Sequence, residues 1–289
     1  MPISPVNSAA CPPVSQIGRY RCPADRCLVM GILNVTPDSF SDGGQHFEQD
    51  RAIAAAHQMV DDGVDLIDIG GESTRPGAQP VSLQEEADRV LPVIEALQGL
   101  GVPLSLDSRR AAVVRQAMAV GIDLVNDVDG FRSPEMQALV PQIVEQRLMV
   151  CVMHMQGQPQ TMQTDPHYDD VVAEVSGFLK AQRDRLMALG LEQSQILLDP
   201  GFGFGKTLAH NQALFRALSS WCGSMPLLVG VSRKRMIGQL SGRGEDRAMD
   251  RLGGSLAAAV LAAQAGARVV RVHDVRQTVD ALRVLGGLS

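Results

Sequence analysis

Eight short apolar runs, separated by longer stretches of helical periodicity, limit the fold of this chain more than any other feature. They are Leu28–Asn34, Leu66–Gly70, Leu104–Asp107, Leu124–Asn126, Leu148–Met153, Ile196–Asp199, Leu227–Val231 and Val269–Val272. Each is almost continuously apolar rather than alternating, as expected of parallel strands covered on both faces. Parallel neighbours need a crossover between them, and helices are predicted at Arg51–Asp62, Leu83–Leu97, Ala111–Val120, Asp170–Leu189 and Gly254–Ala265. Gly63, Gly121, Gly190 and Gly266 follow four of these, where a left-handed residue ends a helix. The repeat predicts one closed (β/α)₈ TIM barrel over residues 28–289, preceded by a lead segment over 1–27, with a doubly wound open sheet as the alternative. The 289 residues suit one such barrel.

Composition narrows the function classes. Apolar residues make up 45% of the chain but aromatics only 3%, so the core must be filled by small and branched aliphatic side chains. A net charge of −6 argues against non-specific nucleic-acid binding, which rests on many phosphate-neutralising Lys and Arg. No apolar run approaches the roughly 20 residues that span a bilayer, and residues 1–27 lack a continuous apolar stretch of the secretory kind. The five cysteines are scattered, which points to free thiols in a reducing, cytoplasmic setting. Cys151, inside an apolar run, reads as a buried hydrophobe.

Strand after strand ends in a polar head group: Asn34, Asp68, Asp107, Asn126, His154 and Asp199, with Arg233 and Lys234 just past the seventh run and His273 past the eighth. In a barrel these ends converge on one mouth, where active sites are built. Any one of them could instead cap the next helix; a full ring of them is harder to explain that way.

The segments beyond the strands carry further signals. "MGILNVTPDSFSDGG", residues 30–44, runs from a strand into a turn-rich loop that presents Phe40, one of ten aromatics, and Asp42. "DIGGESTRPGA", residues 68–78, combines a strand-end acid, a Gly-Gly turn, hydroxyls and Arg75, whose fork suits phosphate oxygens. "LDPGFGFGKT", residues 198–207, is neither a P-loop, since Pro200 stands where the first Gly is needed, nor a dinucleotide fingerprint. Its glycines are expected to let the backbone approach a flat ligand, with Phe204 beside it. "VGVSRKRMIG", residues 229–238, groups three bases after the seventh strand, and Arg271 and His273 share one face of the eighth. Loops after strands seven and eight often hold phosphate in such barrels. The residues thus read as an anion end beside a hydrogen-bonding end built from Asp107, Asn126 and Asp199.

Taken together, these segments resemble the dihydropteroate synthase family of pterin-binding enzymes, from about Leu28 to about Leu285. The resemblance implies condensation of a pterin-methyl pyrophosphate with p-aminobenzoate, by SN1-like displacement at the pterin methylene carbon. It implies a pterin site of Asp107, Asn126, Met153, Asp199, Lys234 and Arg271, and a pyrophosphate site of Asn34, Asp68, Arg75, Arg271 and His273. It also implies Mg²⁺ near Asn34 and Asp42, and a p-aminobenzoate site of Phe40, Thr74, Pro76, Phe204 and Ser232. Of these, Asn34, Asp42, Arg75, Lys234, Arg271 and His273 would carry the catalysis. A homodimer formed through late helices is implied as well. Ser108-Arg109-Arg110 departs from the family pattern, which commonly has small hydroxyl residues and a Lys there. Two other readings stay open: a non-catalytic pterin-binding paralogue, and a corrinoid-linked methyltransferase on the same barrel, against which the Arg75, Arg271 and His273 cluster speaks.

Overall fold

The computed structural model describes residues 13–36, 45–73, 81–222, 226–243 and 247–288, without the side chains of 45–47. A hairpin of β1 (Gln16–Ile17) and β2 (Tyr20–Arg21) precedes eight parallel strands. These are β3 (Leu28–Asn34), β4 (Leu66–Gly70), β5 (Leu104–Asp107), β6 (Leu124–Asp127), β7 (Met149–Met153), β8 (Ile196–Asp199), β9 (Leu228–Val229) and β10 (Val269–Val272). Each of β3 to β7 pairs with the next strand in sequence, and β10 lies between β9 and β3. The remaining gap is closed where Leu198 bridges to Leu227 in parallel and its N–H donates to the Pro226 carbonyl at 3.0 Å. The sheet is therefore a closed barrel, and the open-sheet alternative is excluded.

The helices outside it are α1 (Gln45–Asp61), α2 (Leu83–Ala96), α3 (Ala111–Val120), α4 (Pro134–Gln137), α5 (Val140–Glu145), α6 (Val171–Ala188), α7 (Leu208–Trp221), α8 (Arg235–Leu240), α9 (Leu252–Gln264) and α10 (Val275–Leu288). Their apolar faces pack on the outward side chains of the strands in one large aliphatic core. The strand expected at Leu227–Val231 shrinks to Leu228–Val229. Past that point the backbone at Gly230 faces the mouth, where a Cβ would come within 3.8–4.0 Å of Arg271, Asp199 and Lys234. Among the described residues no helix is long and apolar enough to cross a membrane.

Inside the barrel the layers change character with height. The lower layer is apolar: Leu28, Met30, Leu66, Leu124, Met149, Cys151, Leu197, Leu228 and Val269. Val14 and Ile17 of the lead segment join this cluster, so the β1–β2 hairpin plugs the barrel floor. Its turn fits closely, because a Cβ on Gly18 (φ +53°) would sit 2.5 Å from Asp123 Oδ1. Cys151 is fully buried in the floor, as expected, and Cys22, Cys27, Cys151 and Cys222 carry no disulfide. The upper layers are polar and form the mouth.

Candidate active site

Register places the polar strand ends side by side at the mouth. Asn34 is paired with Gly70, Gly70 with Asp107, Asp107 with Asn126, and Met153 with Asp199. Because β-strand side chains alternate, these positions and those two residues below them point into the barrel together.

Asp68 lies one layer below and is fully buried. It accepts from Ser105 Oγ at 2.5 Å, Asn126 Nδ2 at 3.1 Å and Arg271 Nε at 2.6 Å. Asp68, expected on the pyrophosphate side, is enclosed, and its two oxygens hold the residues around it, Arg271 of the same expected set among them. Its hold on Asn126 has a chemical consequence. An ionised carboxylate only accepts, so the amide must turn its NH₂ down and its Oδ1 toward the mouth. Arg271 also donates from Nη2 to Asp107 Oδ2 at 2.7 Å, leaving Asp107 Oδ1 for a ligand. Asp107 is pushed up to about 7 by burial, with Arg271 opposing the shift and the Asp68 charge reinforcing it.

Asp199 and Lys234 form a second charged pair. Burial raises the Asp199 carboxyl, against the nearby Lys234 charge and a 2.7 Å hydrogen bond from Gly201 N–H to Oδ1. Burial lowers Lys234 to about 8, with Asp199 opposing. Lys234 donates to the Phe202 carbonyl and lies 4.6 Å above the Phe204 ring. Phe204 packs with Val128, Met153, Met155 and Met162 in an apolar cluster. The arrangement is a flat apolar wall edged by three carboxylates, an amide and two cations. Aligned acceptors on an apolar wall suit a planar heterocycle with several N–H groups.

His273 receives its orientation from Ser232. The Ser232 hydroxyl accepts from the His273 backbone N–H at 3.2 Å and bonds the ring Nδ1 at 3.1 Å. The two contacts together fix the orientation of the ring at the rim. Ser232, expected in the p-aminobenzoate site, is 6% exposed beside His273. Arg233, one of the three clustered bases, is tied to Asp274 at 2.5 and 3.0 Å. Phe40, Asp42, Thr74, Arg75 and Pro76 lie outside the described residues.

Two glycines of residues 201–205 make a close approach to the protein's own backbone. Gly201 (φ +68°) and Gly205 (φ +62°) press on the loop after β7, where a Cβ would stand 1.9 Å from the His154 carbonyl oxygen and 2.5 Å from that of Gln156. Backbone packs on backbone at these two positions. The Ser108–Arg110 departure also has a place. Arg110 pairs with Glu72 at 2.8 Å and with the buried Glu86 at 3.3 Å, tying the end of β5 to the end of β4. Arg109 adds a longer pair to Glu72 at 3.5 Å and reaches Gln158 at 3.4 Å.

Sequence reasoning gave Lys206 no role, although the structure places it in the mouth wall at 3% exposure. Its Nζ lies 3.0 Å from His154 Nδ1. Burial lowers Lys206 to about 7, with Asp199 opposing. His154 is lowered to about 3 by burial and then by the Lys206 charge. It is thus neutral in the fold, whereas in the unfolded chain it takes up a proton below its ordinary 6.5. Between those values the unfolded state binds more protons, so this group's contribution to stability falls as pH drops from 6.5 toward 3. His154→Asn removes that dependence. The stability advantage of the unaltered protein over the variant should shrink on acidification, by at most ~1.4 kcal/mol per pH unit. Calorimetric melts at pH 7.5 and 5.5 check this, and an unchanged difference would contradict it.

Comparison with known proteins gives one consistent answer. A family model described as pterin binding enzyme matches residues 30–273. The chain is 49% identical over 259 residues to the dihydropteroate synthase of Escherichia coli strain K12, covering 89% of this chain and 90% of that protein. It is similar to the Yersinia pestis dihydropteroate synthase solved with a sulfonamide drug, at TM-score 0.86 and 47% identity, covering 94% of this chain and 98% of that one. It is likewise similar to the Burkholderia cenocepacia dihydropteroate synthase complexed with 7,8-dihydropteroate, at TM-score 0.85 and 44% identity, over 96% and 97% of the two chains. The chain therefore belongs to the pterin binding enzyme family and, within it, to the dihydropteroate synthases.

Proposed function

We propose that this protein condenses 6-hydroxymethyl-7,8-dihydropterin pyrophosphate with p-aminobenzoate, releasing pyrophosphate and 7,8-dihydropteroate. The observation that carries the reading is the buried lattice of Asp68, Asp107, Asn126 and Arg271, set beside the Asp199–Lys234 pair. Asp107 Oδ1, Asn126 Oδ1 and Asp199 Oδ2 accept from the pterin edge, while Met153 and the Arg271 plane cover its faces. Arg271, His273 and Asn34, with Arg75, hold the pyrophosphate. Phe204, with Phe40, Thr74 and Pro76, receives the p-aminobenzoate ring, and Ser232 serves the site through His273.

In an SN1-like displacement the C–O bond to pyrophosphate breaks ahead of attack by the amine nitrogen. Charge then grows on the leaving group, where the cations stand, and on the pterin methylene carbon, beside the carboxylates. Catalysis is positional and electrostatic and needs no covalent nucleophile.

Mg²⁺ fits this reading. Asn34 Oδ1 and Asp107 Oδ2 border the same gap, within 3.8 and 3.9 Å of where a Cβ on Gly70 would lie. Among the described residues no three His, Cys, Asp or Glu side chains converge on a metal site. Mg²⁺ commonly takes one or two protein oxygens and completes its shell with water and phosphate. Asn34, with Asp42, would hold it, and it would neutralise pyrophosphate charge. Chelation by EDTA should abolish turnover, and added Mg²⁺ should restore it. Full turnover in EDTA would remove the metal from the account.

The homodimer belongs to the same proposal, as does a cytoplasmic location. Val260, Val284, Leu285 and Leu288 line an apolar groove between α9 and α10, where late helices could pair. Mass spectrometry of a reaction containing both substrates tests the function itself: 7,8-dihydropteroate is the expected product, and its absence would favour a non-catalytic pterin-binding protein.

A further inference from the structure

Lys206 places an amine where its charge is costly. Its side chain lies in the wall between the loops after β7 and β8, at 3% exposure, with no carboxylate hydrogen-bonded to it among the described residues. Instead Nζ has three partners: His154 Nδ1 at 3.0 Å, the His154 carbonyl at 3.3 Å and the Phe204 carbonyl at 3.0 Å. An ammonium has three hydrogens to donate, and these partners account for all of them. A buried amine so placed is expensive to keep, so a plain aliphatic chain would be the cheaper filling for a wall with no further task.

The partners suggest that task. Lys206 holds the Phe204 carbonyl, while Lys234 holds the Phe202 carbonyl two residues earlier. The Gly-Phe-Gly-Phe-Gly turn is thus gripped at two alternate carbonyls, and the ring between the grips, Phe204, lies under the Lys234 ammonium. Other contacts join the same two loops. Tyr168 Oη donates to the Gly205 carbonyl at 2.9 Å, and Gln163 Nε2 donates to that of Gly203. His154 is itself set edge-on against the Phe178 ring, 5.0 Å between centroids. Lys206 is therefore the one cation reaching across this seam from inside, among the described residues.

We propose that Lys206 and His154 form a positioning clamp that fixes the backbone at Phe204, so that its ring stands beneath Lys234 as one wall of the aryl-amine site. This rests on the functional reading above. It adds a positioning role for two residues that touch neither substrate. His154 Nδ1 serves as the acceptor that fixes the ammonium, and the Phe204 carbonyl is what the ammonium fixes.

The test uses the full-length protein with three variants and two readouts. Lys206→Met keeps an unbranched chain one atom shorter and removes its donors. His154→Leu removes the acceptor, and His154→Asn keeps an oxygen near the place of Nδ1. The clamp predicts that Lys206→Met and His154→Leu raise KM for p-aminobenzoate about tenfold or more. KM for the pterin pyrophosphate should stay within about twofold, and His154→Asn should recover most of the loss. A purely structural role would lower the active fraction, reducing kcat while leaving both KM values unchanged, and that result overturns the proposal. Independently of activity, protein labelled with fluorophenylalanine gives a ¹⁹F signal for Phe204, assigned by its disappearance in Phe204→Leu. That signal should shift or broaden in Lys206→Met; an unmoved signal would also overturn the clamp. Should the unaltered protein fail to make pteroate, the functional reading falls, while the ¹⁹F measurement still decides the clamp.

Discussion

Replacing Arg271 with methionine is expected to lower kcat/KM by about 10³-fold, the scale for removing a fixed donor from a site of developing charge. Two roles fail together. Charge growing on pyrophosphate loses a cation, and the acids beneath lose their partner. Asp68 is fully buried and the Asp107 side chain is 14% exposed, and both are paired with this one guanidinium at 2.6 and 2.7 Å. Removing one member of a buried ion pair costs ~3–5 kcal/mol. The cost can be relieved by protonation, since Asp107 already titrates near 7 with Arg271 in place. Without Arg271 that carboxyl rises further above its unfolded value, so the folded state binds more protons across the interval between them. Stability must then fall as pH rises through that interval. The variant should accordingly be nearer to the unaltered protein in denaturant melts at pH 6 than at pH 8. Arg271→Lys should recover little, because one ammonium cannot reproduce a fork that binds two carboxylates at once. Unchanged pyrophosphate affinity together with an unchanged melting curve would show that Arg271 has neither role.

The second large effect is expected from Asp199→Asn. The substitution preserves shape, and the new Oδ1 can still accept from Gly201 N–H, so the β8–α7 turn should persist. What is lost is a charged acceptor facing the mouth. A charge-assisted hydrogen bond contributes ~1.5–3 kcal/mol, and the new NH₂ would also face a donor of the pterin edge, so the loss should reach about 3 kcal/mol, roughly 100-fold in Kd. Lys234 suffers as well, because Asp199 is the charge that opposes its burial. Its pKa should drop further below about 8, leaving it partly neutral at working pH. Calorimetric titration with a dihydropterin should show the weakening while circular dichroism stays unchanged. An unaltered titration would remove Asp199 from the pterin site.

The barrel was legible because its signal is repeated. Eight apolar runs, each followed by helical periodicity, leave few alternatives, and most strand limits lie within a residue of those read from the sequence. The (β/α)₈ repeat calls for a helix where α7 lies, and its limits carry a readable signal: Thr207 caps it, and Leu214, Leu218 and Trp221 recur on its buried face. The β1–β2 hairpin was not readable, since two-residue strands have no period and only the barrel floor gives Val14 and Ile17 a reason to be apolar.

The mouth shows the same division. That Asp107, Asn126, Asp199, Arg271 and His273 meet at one rim follows from strand ends alone. Which of them face a ligand does not. Asp68 looked like another rim acid, yet its partner Arg271 lies 203 residues away and only closure of the barrel brings them together. The bond between Ser232 and His273 joins residues 41 apart, which only the barrel brings together. Lys206 stood in a quoted motif without a role, because its partner His154 is 52 residues earlier.

The most direct test of the account is pyrophosphate release from the pterin pyrophosphate in Mg²⁺, measured with and without p-aminobenzoate. The account predicts release that depends on p-aminobenzoate and matches dihydropteroate formed, mole for mole. A protein that binds the pterin but releases no pyrophosphate with both substrates present would contradict it.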